Sequence, residues 1–185
     1  MDVSGFANFY TLTQADMTTK AISLDDLRQL SATAATEARL RKNLNVHASL
    51  DANVQRLFNA MEPDTYIRPH RHARDQGWEL MLAIRGRFAV LFFDETGSVT
   101  ERHELSSEVG LMAIEVPART WHSVVSLEAG TVMFEVKEGP YTPVDDKDFA
   151  LWAPREGESA AKPLLDWFRR AKPGEPAPLT KQLCP

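Results

Sequence analysis

Four residues of the chain have side chains that could hold a metal ion together. His70 and His72 are separated by one residue, and on a β-strand two such side chains project from the same face and can share one ion. Glu79 begins the next apolar run, from which its carboxylate could return to that ion. His122 lies 50 residues after His72 and comes near the pair only if the sheet closes on itself, as in a small barrel.

The elements that must position these side chains are predicted to be mostly β-strands. From about residue 43 to 138, short runs of apolar, β-branched and aromatic residues alternate with Gly, Pro and Asp. Eight strands are predicted, at 54–61, 66–72, 79–84, 87–93, 99–105, 111–116, 120–127 and 131–137. Ser23 and Asp26 resemble a capping box and begin an amphipathic helix predicted over 24–41. Pro163 suits the first turn of a short closing helix within 159–171.

Length and composition indicate one globular domain. The chain has 185 residues, of which 43% are hydrophobic, enough to bury a core. We expect an N-terminal arm and helix at 1–42 that packs on the barrel, the barrel itself at 43–158, the closing helix at 159–171 and a Pro-rich tail at 172–185 that forms an arm or is disordered.

Charge and hydropathy exclude several classes of partner. With 21 Lys and Arg against 26 Asp and Glu, the net charge is −5, which gives no basic surface for nucleic acid. The longest apolar run is six residues, 88–93, too short to span a bilayer. The start lacks the features of a secretory signal and Cys184 is the only cysteine, so we expect a reducing cytoplasm.

The spacing of the candidate ligands resembles the two sequence motifs of the cupin superfamily. The pair His70 and His72 matches the first motif, as does the interval from Glu79 to Gly86, whereas the six residues between His72 and Glu79 exceed the cupin spacing. In the second motif His122 keeps its distance from the preceding proline, although Arg and Ser replace the usual Gly and Asn.

A narrower resemblance is to the WbuC-type cupin-fold metalloproteins, and it covers about residues 24–157. It is carried by the stretches 45–47, 54–56, 66–72, 78–79, 135–141 and 146–154. The resemblance implies an all-β cupin (double-stranded β-helix, jelly-roll) barrel with an N-terminal and a short C-terminal helix. It also implies a metal held by His70, His72, Glu79 and His122, and a link to surface polysaccharide (O-antigen) biosynthesis. Such ligands suit Zn, Fe, Mn, Ni, Co or Cu.

Other polar residues are candidates for roles around this site. Glu135 and Lys137 are candidate acid/base groups if their face of the strand points inward; an outward, salt-bridged face is the equal alternative.

Four further residues are candidates for contact with an anionic or sugar substrate, although each could be structural: Arg56, Tyr66, Arg68 and Tyr141. His47 could line the site, whereas His103 is expected in solvent. Trp78, Trp121 and Trp152 are expected in the core, with stacking on a sugar ring as the alternative.

Three functions remain open from the sequence. The first is a metalloenzyme, an isomerase, epimerase or oxygenase, that acts on a sugar or sugar nucleotide. The second is a metal-containing module that binds a carbohydrate or small acid without turnover. The third is an epimerase that works without metal through a histidine base. Exposed sheet edges predict a homodimer.

Overall fold

Two antiparallel β-sheets carry most of the chain in the computed structural model, which describes residues 19–72, 77–143, 145 and 148–178. The helices are α1 (Leu24–Thr36) and α2 (Ala161–Phe168). The strands are β1 (Arg41–Asn45), β2 (Val54–Met61), β3 (Glu79–Arg85), β4 (Arg87–Phe93), β5 (Val99–Ser106), β6 (Ala113–Val116), β7 (Trp121–Ser126) and β8 (Thr131–Glu138). One sheet has the order β1-β2-β8-β3-β6 and the other β5-β4-β7.

The pairing of the strands is that of a long hairpin wound into a barrel. β4 pairs with β5 at its tip, and further back β3 pairs with β6 and β2 with β8. Residues 66–72 form no regular strand, but His70 pairs with His122 of β7 and so supplies the fourth pair. This winding of eight extended segments into two sheets is the double-stranded β-helix of the jelly roll. The predicted all-β class and its jelly-roll barrel are confirmed.

The barrel interior is apolar over most of its length. At Gly86, whose φ is 68°, the chain passes from the five-stranded to the three-stranded sheet. A Cβ there would lie 2.7 Å from the Thr131 hydroxyl oxygen, so the close approach requires glycine. Inward-facing residues of both sheets form one buried cluster: Met61, Met81, Ala83, Phe88, Val90, Phe92, Leu105, Val116, Val124 and Met133.

The N-terminal helix begins as predicted and ends earlier. The Ser23 hydroxyl accepts a hydrogen bond from the Asp26 amide, and the Asp26 carboxylate accepts one from the Ser23 amide. The predicted extension to residue 41 is wrong: α1 ends at Thr36, and Leu40 adopts a φ of 54° that turns the chain. The residues that follow form β1, because they find backbone partners along β2, as in the pairing of Arg41 with Met61.

Both helices cover outer faces of the sheets. Leu27, Leu30 and Ala34 of α1 pack with residues of β2 and β8 in a small cluster on the five-stranded sheet. α2 packs Leu164 and Phe168 against the outer side chains of β4 and β7 on the other sheet. None of the helices in the described part of the chain is long and apolar enough to cross a membrane.

The Pro-rich tail is bound to the fold over its first part. The Val99 amide donates to the Glu175 carbonyl, and the Gly174 amide donates to the Val99 carbonyl. The Ala177 amide donates to the Gly97 carbonyl. Residues 172–178 therefore lie along the start of β5, because these backbone groups are satisfied there. Residues 179–185 and the predicted N-terminal arm before residue 19 lie outside the described residues.

An ion cluster joins β1 to the segment that precedes α2. Arg39 donates two hydrogen bonds of 2.8 Å to the Glu156 carboxylate, which also accepts one from Arg41. Burial opposes ionisation of Glu156, but the two guanidinium groups outweigh it and lower the pKa of this carboxyl.

We expect Glu156→Gln to lower the free energy of unfolding at pH 7 by about 1 kcal/mol, since the cluster is partly exposed to solvent. A carboxyl whose pKa is lowered in the folded state stabilises the protein above its unfolded pKa. The difference from wild type should therefore be full at neutral pH and shrink as the pH falls below the ordinary value of 4.5. Urea unfolding at several pH values measures it. Glu115→Gln on exposed β6 is the control, and a difference that grows toward acid would contradict the assignment.

Candidate metal centre

The structure brings the four predicted ligands together inside the barrel. One ligand atom from each of His70, His72, Glu79 and His122 lies within 4.8 Å of all the others. Glu79 and His122 are 2% and 1% exposed, whereas His70 and His72 are partly exposed. The cluster therefore joins a buried side to a side that solvent can reach.

Backbone pairing sets the positions of the ligands. The His70 amide donates to the His122 carbonyl at 3.0 Å, and the His122 amide donates to the His70 carbonyl at 2.9 Å. His122 lies on β7, which β4 holds on its other side. Glu79 is the first residue of β3 and pairs with Lys137 of β8. Three separate strand pairings thus converge on one point of the barrel wall.

Two of the imidazoles present an unprotonated nitrogen to this point. Nδ1 of His70 lies 3.0 Å from the Arg68 carbonyl, and Nδ1 of His122 lies 2.9 Å from the Thr120 carbonyl. A carbonyl can only accept, so each Nδ1 carries the proton and each Nε2 keeps its lone pair. This outer hydrogen bond is how proteins orient histidine ligands for metals. Burial and the neighbouring His122 lower the pKa of His70 to about 3, which keeps its imidazole neutral.

Both carboxylate oxygens of Glu79 face ring nitrogens of histidines. Oε2 lies 3.2 Å from His122 Nε2, and Oε1 lies 2.9 Å from His72 Nε2. Although that second contact is close, it is misaligned, and His72 Nε2 is buried without a hydrogen-bond partner among the described residues. Lone pairs that face a carboxylate at these distances repel unless a cation lies between them. The donor set and this unpartnered nitrogen therefore fit a metal ion.

A second polar group adjoins the cluster on β8. Lys137 Nζ lies 3.1 Å from Glu79 Oε1 and 2.6 Å from Glu135 Oε1. The Asn59 side-chain amide donates a 2.7 Å hydrogen bond to the other oxygen of Glu135. Glu135 and Lys137 thus face the barrel interior, not an outer salt-bridged surface. Asn59 was not among the predicted site residues. Its one indication in the sequence was its position two residues after Leu57, which places both side chains on the inner face of β2.

The ionisation states of Glu79, Glu135 and Lys137 depend on one another. Burial would raise the pKa of Glu79, but the charge of the neighbouring Lys137 lowers it well below its usual range. Burial raises the pKa of Glu135, and Lys137 offsets only part of that effect. Burial disfavours the charged form of Lys137, yet the two carboxylates raise its pKa above the ordinary value.

Two predicted substrate contacts instead hold the segment before α2. The Tyr66 hydroxyl donates to the Pro154 carbonyl at 2.9 Å, and the ring lies in the cluster that packs on α2. Burial raises the pKa of this hydroxyl. Arg68 donates to the carbonyls of Ala150 and Ala153. For both residues, contact with a substrate stays a prediction.

The remaining candidates lie apart from the four-residue cluster. Arg56 is exposed and alternates along β2 with inward-facing Gln55 and Leu57, so it lies on the outer face. Tyr141 is exposed, and its amide binds the Leu50 carbonyl. Their substrate roles also stay predictions.

The two other described histidines are engaged elsewhere. His47 is buried, with Nδ1 accepting from the Arg56 amide at 3.0 Å. His103 lies 2.8 Å from the Glu101 carboxylate on β5, and its side chain is 37% exposed. The prediction that His103 is a surface residue fits this position.

Comparison with protein families gives one match. A family model described as a domain of unknown function, DUF6016, matches residues 22–105, less than half of the 185-residue chain. The matched part includes His70, His72 and Glu79 but ends before His122. No curated protein matches the sequence.

Solved structures similar to the chain include cupins. KdgF from Halomonas sp. is 20% identical, with a TM-score of 0.44 over 58% of this chain and 85% of that protein. A cupin superfamily protein of Desulfitobacterium hafniense is 16% identical, with a TM-score of 0.44 over 59% and 86%. Oxalate decarboxylase of Bacillus subtilis, which has Mn(II) centres, is 19% identical, with a TM-score of 0.44 over 60% of this chain but 28% of the enzyme. The fold assignment rests on the strand pairing of this chain.

Lys137 is expected to contribute strongly to stability in protein freed of metal by a chelator. Lys137→Ala would leave two buried carboxylates without their counter-ion, and breaking such a pair costs about 3 kcal/mol or more. The measurement is the free energy of unfolding in urea at pH 7.

Lys162→Ala is the matched control. Lys162 also lies near two carboxylates, those of Asp64 and Asp166, but its side chain is 58% exposed. Its loss should cost about 0.5 kcal/mol or less. Equal effects of the two substitutions would show that the buried network carries no special stabilisation.

Proposed function

We propose that His70, His72, Glu79 and His122 bind one divalent transition metal ion, and that the chain is a metal-dependent enzyme acting on a small oxygen-bearing substrate. The convergence of the four ligand atoms within 4.8 Å, inside the barrel, carries the proposal. Three imidazoles and one carboxylate suit Fe, Mn, Ni, Co, Zn or Cu without selecting among them. The carbonyl-bound Nδ1 atoms of His70 and His122 support it, because they leave Nε2 free to ligate.

A metal in this place supplies Lewis-acid polarisation of a substrate oxygen or lowers the pKa of a bound water. The chain itself supplies the proton transfer. Glu135 is buried, its raised pKa suits a group that takes up and returns a proton, and Asn59 holds one of its oxygens. The Lys137 ammonium lies between the two carboxylates, where it stabilises negative charge that develops on a neighbouring substrate oxygen.

The reaction class that fits these groups best is proton transfer at a carbon next to a carbonyl, as in an isomerase or epimerase. A carboxyl that exchanges a proton and a cation that stabilises an enolate are the two requirements of that chemistry. The buried apolar side chains of the barrel, Met81 and Met133 among them, pack next to the network. An oxygenase would use the same ligands and is the second candidate activity for this metal site.

A carbohydrate or sugar nucleotide is the proposed substrate class, in surface polysaccharide biosynthesis. This narrower proposal is supported by the resemblance to WbuC-type cupins alone. The small-molecule partner, the homodimer and the absence of a nucleic-acid partner likewise stay predictions from the sequence.

Metal analysis of the purified chain tests the site. We expect about one transition metal per chain in the wild type and its loss in His122→Ala, because a ligand at the buried side of the cluster is removed. His103→Ala is the matched control. The His103 side chain is 37% exposed and pairs with Glu101, so this substitution should leave the metal content unchanged. Full metal retention in His122→Ala would contradict the ligand assignment. Absence of metal from the wild type as well as from the variants would favour the metal-free epimerase.

Deuterium exchange tests the proposed reaction. Reducing sugars, keto-sugar nucleotides and hydroxy acids are incubated with the metal-loaded protein in D₂O, and exchange of the C–H next to the carbonyl or carboxyl group is followed by NMR. For a substrate that exchanges, Glu135→Gln should slow exchange by about 10²- to 10⁴-fold with the metal content unchanged. Glu138→Gln is the control. Glu138 lies at the end of the same strand on its outer face, so this substitution should have little effect on the exchange rate.

The outcomes separate the competing functions. Exchange at an undiminished rate in Glu135→Gln would remove this residue from the mechanism. Full metal content with no exchange and no turnover of any candidate would favour the non-catalytic binding module. Exchange that survives chelation at full rate would favour the metal-free epimerase.

A further inference from the structure

The outer face of the five-stranded sheet is only partly covered by the N-terminal helix. α1 packs on one end of this face, in a cluster that includes Ala60 of β2 and Val132 of β8. Beyond that cluster the face continues over β8 and β3 with an outer patch of four half-buried apolar side chains, Leu80, Leu82, Phe134 and Val136. None of the four belongs to the three buried clusters that the described residues form. A contiguous apolar patch of this kind is typical of an interaction surface.

The strand register arranges the patch in two rows that cross four strands. Residues directly opposite each other in an antiparallel pair lie on the same face of the sheet. One row crosses β2, β8, β3 and β6 and is apolar throughout: Phe58, Phe134, Leu82 and Ala113. The other row crosses the same strands two residues further along: Arg56, Val136, Leu80 and Glu115. This second row is therefore apolar in the middle, with a cation at one end and an anion at the other.

The two charged ends of the second row are without ion-pair partners. The side chains of Arg56 and Glu115 are exposed, and neither forms an ion pair with another described residue. Three strand spacings separate them, about 14 Å in all, which is too far for the two to pair within one chain. Each charge is thus free to pair with a group outside the chain that contains it.

A two-fold rotation makes this face complementary to itself. If the axis is parallel to the strands and passes over the gap between β8 and β3, β2 of one copy lies over β6 of the other. Arg56 then faces Glu115 of the second copy, and symmetry forms this pair twice. The same rotation places Val136 over Leu80 and Phe134 over Leu82. An axis across the strands would instead place β2 over β2 and β6 over β6, which gathers like charges at each edge.

We propose that a second copy of this chain binds the outer patch, so that two five-stranded sheets pack face to face around the axis parallel to the strands. Packed sheets lie about 10 Å apart with their strands nearly aligned, as this axis allows. Burial of the apolar rows stabilises the dimer, and the paired charges set its orientation. The interface is a face of the sheet, whereas the sequence predicted a homodimer from exposed edges. It does not depend on the proposed function, because Glu79 and Lys137 lie on the inner side of the sheet.

Sedimentation equilibrium on the full chain tests the proposal. At concentrations of tens of micromolar we expect a mass of twice 20.8 kDa. A mass of 20.8 kDa at every concentration would overturn the proposal. The patch would then be covered by the chain's own residues before position 19 or by a different protein.

Exchange of the two charges tests the orientation of the copies. Arg56→Glu and Glu115→Arg each turn two attractive contacts into two repulsive ones, and either should raise the Kd of the dimer by about tenfold or more. Reversal is used because neutralisation of an exposed pair has little effect. The double variant restores both pairs and should return the Kd to within about threefold of the wild-type value. An unchanged Kd in both single variants, or no recovery in the double variant, would overturn the proposed interface.

A charge within the patch tests its apolar rows. Leu82→Asp should raise the Kd by about a hundredfold, because the interface would bury an unpaired carboxylate. Leu151→Asp is the matched control, since Leu151 is 79% exposed in the segment before α2 and its substitution should leave the Kd unchanged. Near-UV circular dichroism verifies that both variants are folded, and the charge-exchange variants decide the question independently of Leu82. A folded Leu82→Asp variant with the wild-type Kd would overturn the proposal.

Discussion

Two backbone hydrogen bonds between His70 and His122 are the constraint on which the site depends. They join an irregular segment, which forms no ladder of its own, to β7 at the edge of the three-stranded sheet. Backbone pairs of this kind fix the distance between two chains at about 5 Å. Because the rings extend from these paired positions, their centres lie 4.5 Å apart. Winding of the hairpin into a barrel then brings Glu79 to the same place from the other sheet.

Electrostatics explains why the buried charged groups of Glu79, Glu135 and Lys137 occur together in the barrel. The carboxylates of Glu79 and Glu135 lie in a largely apolar barrel, and one ammonium group, that of Lys137, lies between them. Burial of an uncompensated charge costs several kcal/mol, so the pair is tolerated only with close counter-charges and hydrogen bonds. Lys137 and Asn59 supply part of this compensation. The nitrogen lone pairs that face Glu79 are arranged for a further cation, which is the physical link between the stability of this group and its proposed chemistry.

The sequence predicted the four-residue cluster better than it predicted the surroundings of that cluster. His70, His72, Glu79 and His122 stood at spacings with chemical meaning, and apolar runs predicted the strands of Glu79 and His122, whereas the predicted strand at 66–72 is wrong, since this segment only pairs through His70. Side chains whose hydrogen-bond partners are far away in the chain leave no local pattern in the sequence. Tyr66 and Arg68 bind carbonyls more than 80 residues away in the chain, and no spacing rule relates them to Pro154 or Ala150.

The error at the N-terminal helix has a related cause. Helical spacing continued past the true end of the helix, but Leu40 turned the chain, and Arg41, which follows it, found partners in β2 and Glu156. Local periodicity could not register that competition, because tertiary pairing decides whether a short stretch remains helical. Asn59 and the inward direction of Glu135 and Lys137 were similarly undetermined, since either face of β8 was consistent with the alternation.

The two faces of one ribbon carry different chemistry inside and outside the barrel. The alternation that sends His70 and His72 inward sends Arg71 outward, and the same alternation separates His122 from Trp121. Inside, neutral imidazoles and carboxylates suit a hard or borderline cation. Outside, the Arg71 guanidinium lies 4.4 Å from the Trp121 ring centre and pairs with Glu95 and Asp148. The two faces are linked by the backbone, through the His70–His122 hydrogen bonds, and by the Phe149 ring, whose centre lies 6.2 Å from that of His70. A substitution of Phe149 or Arg71 can therefore shift the position of the histidines although neither residue belongs to the four-residue cluster.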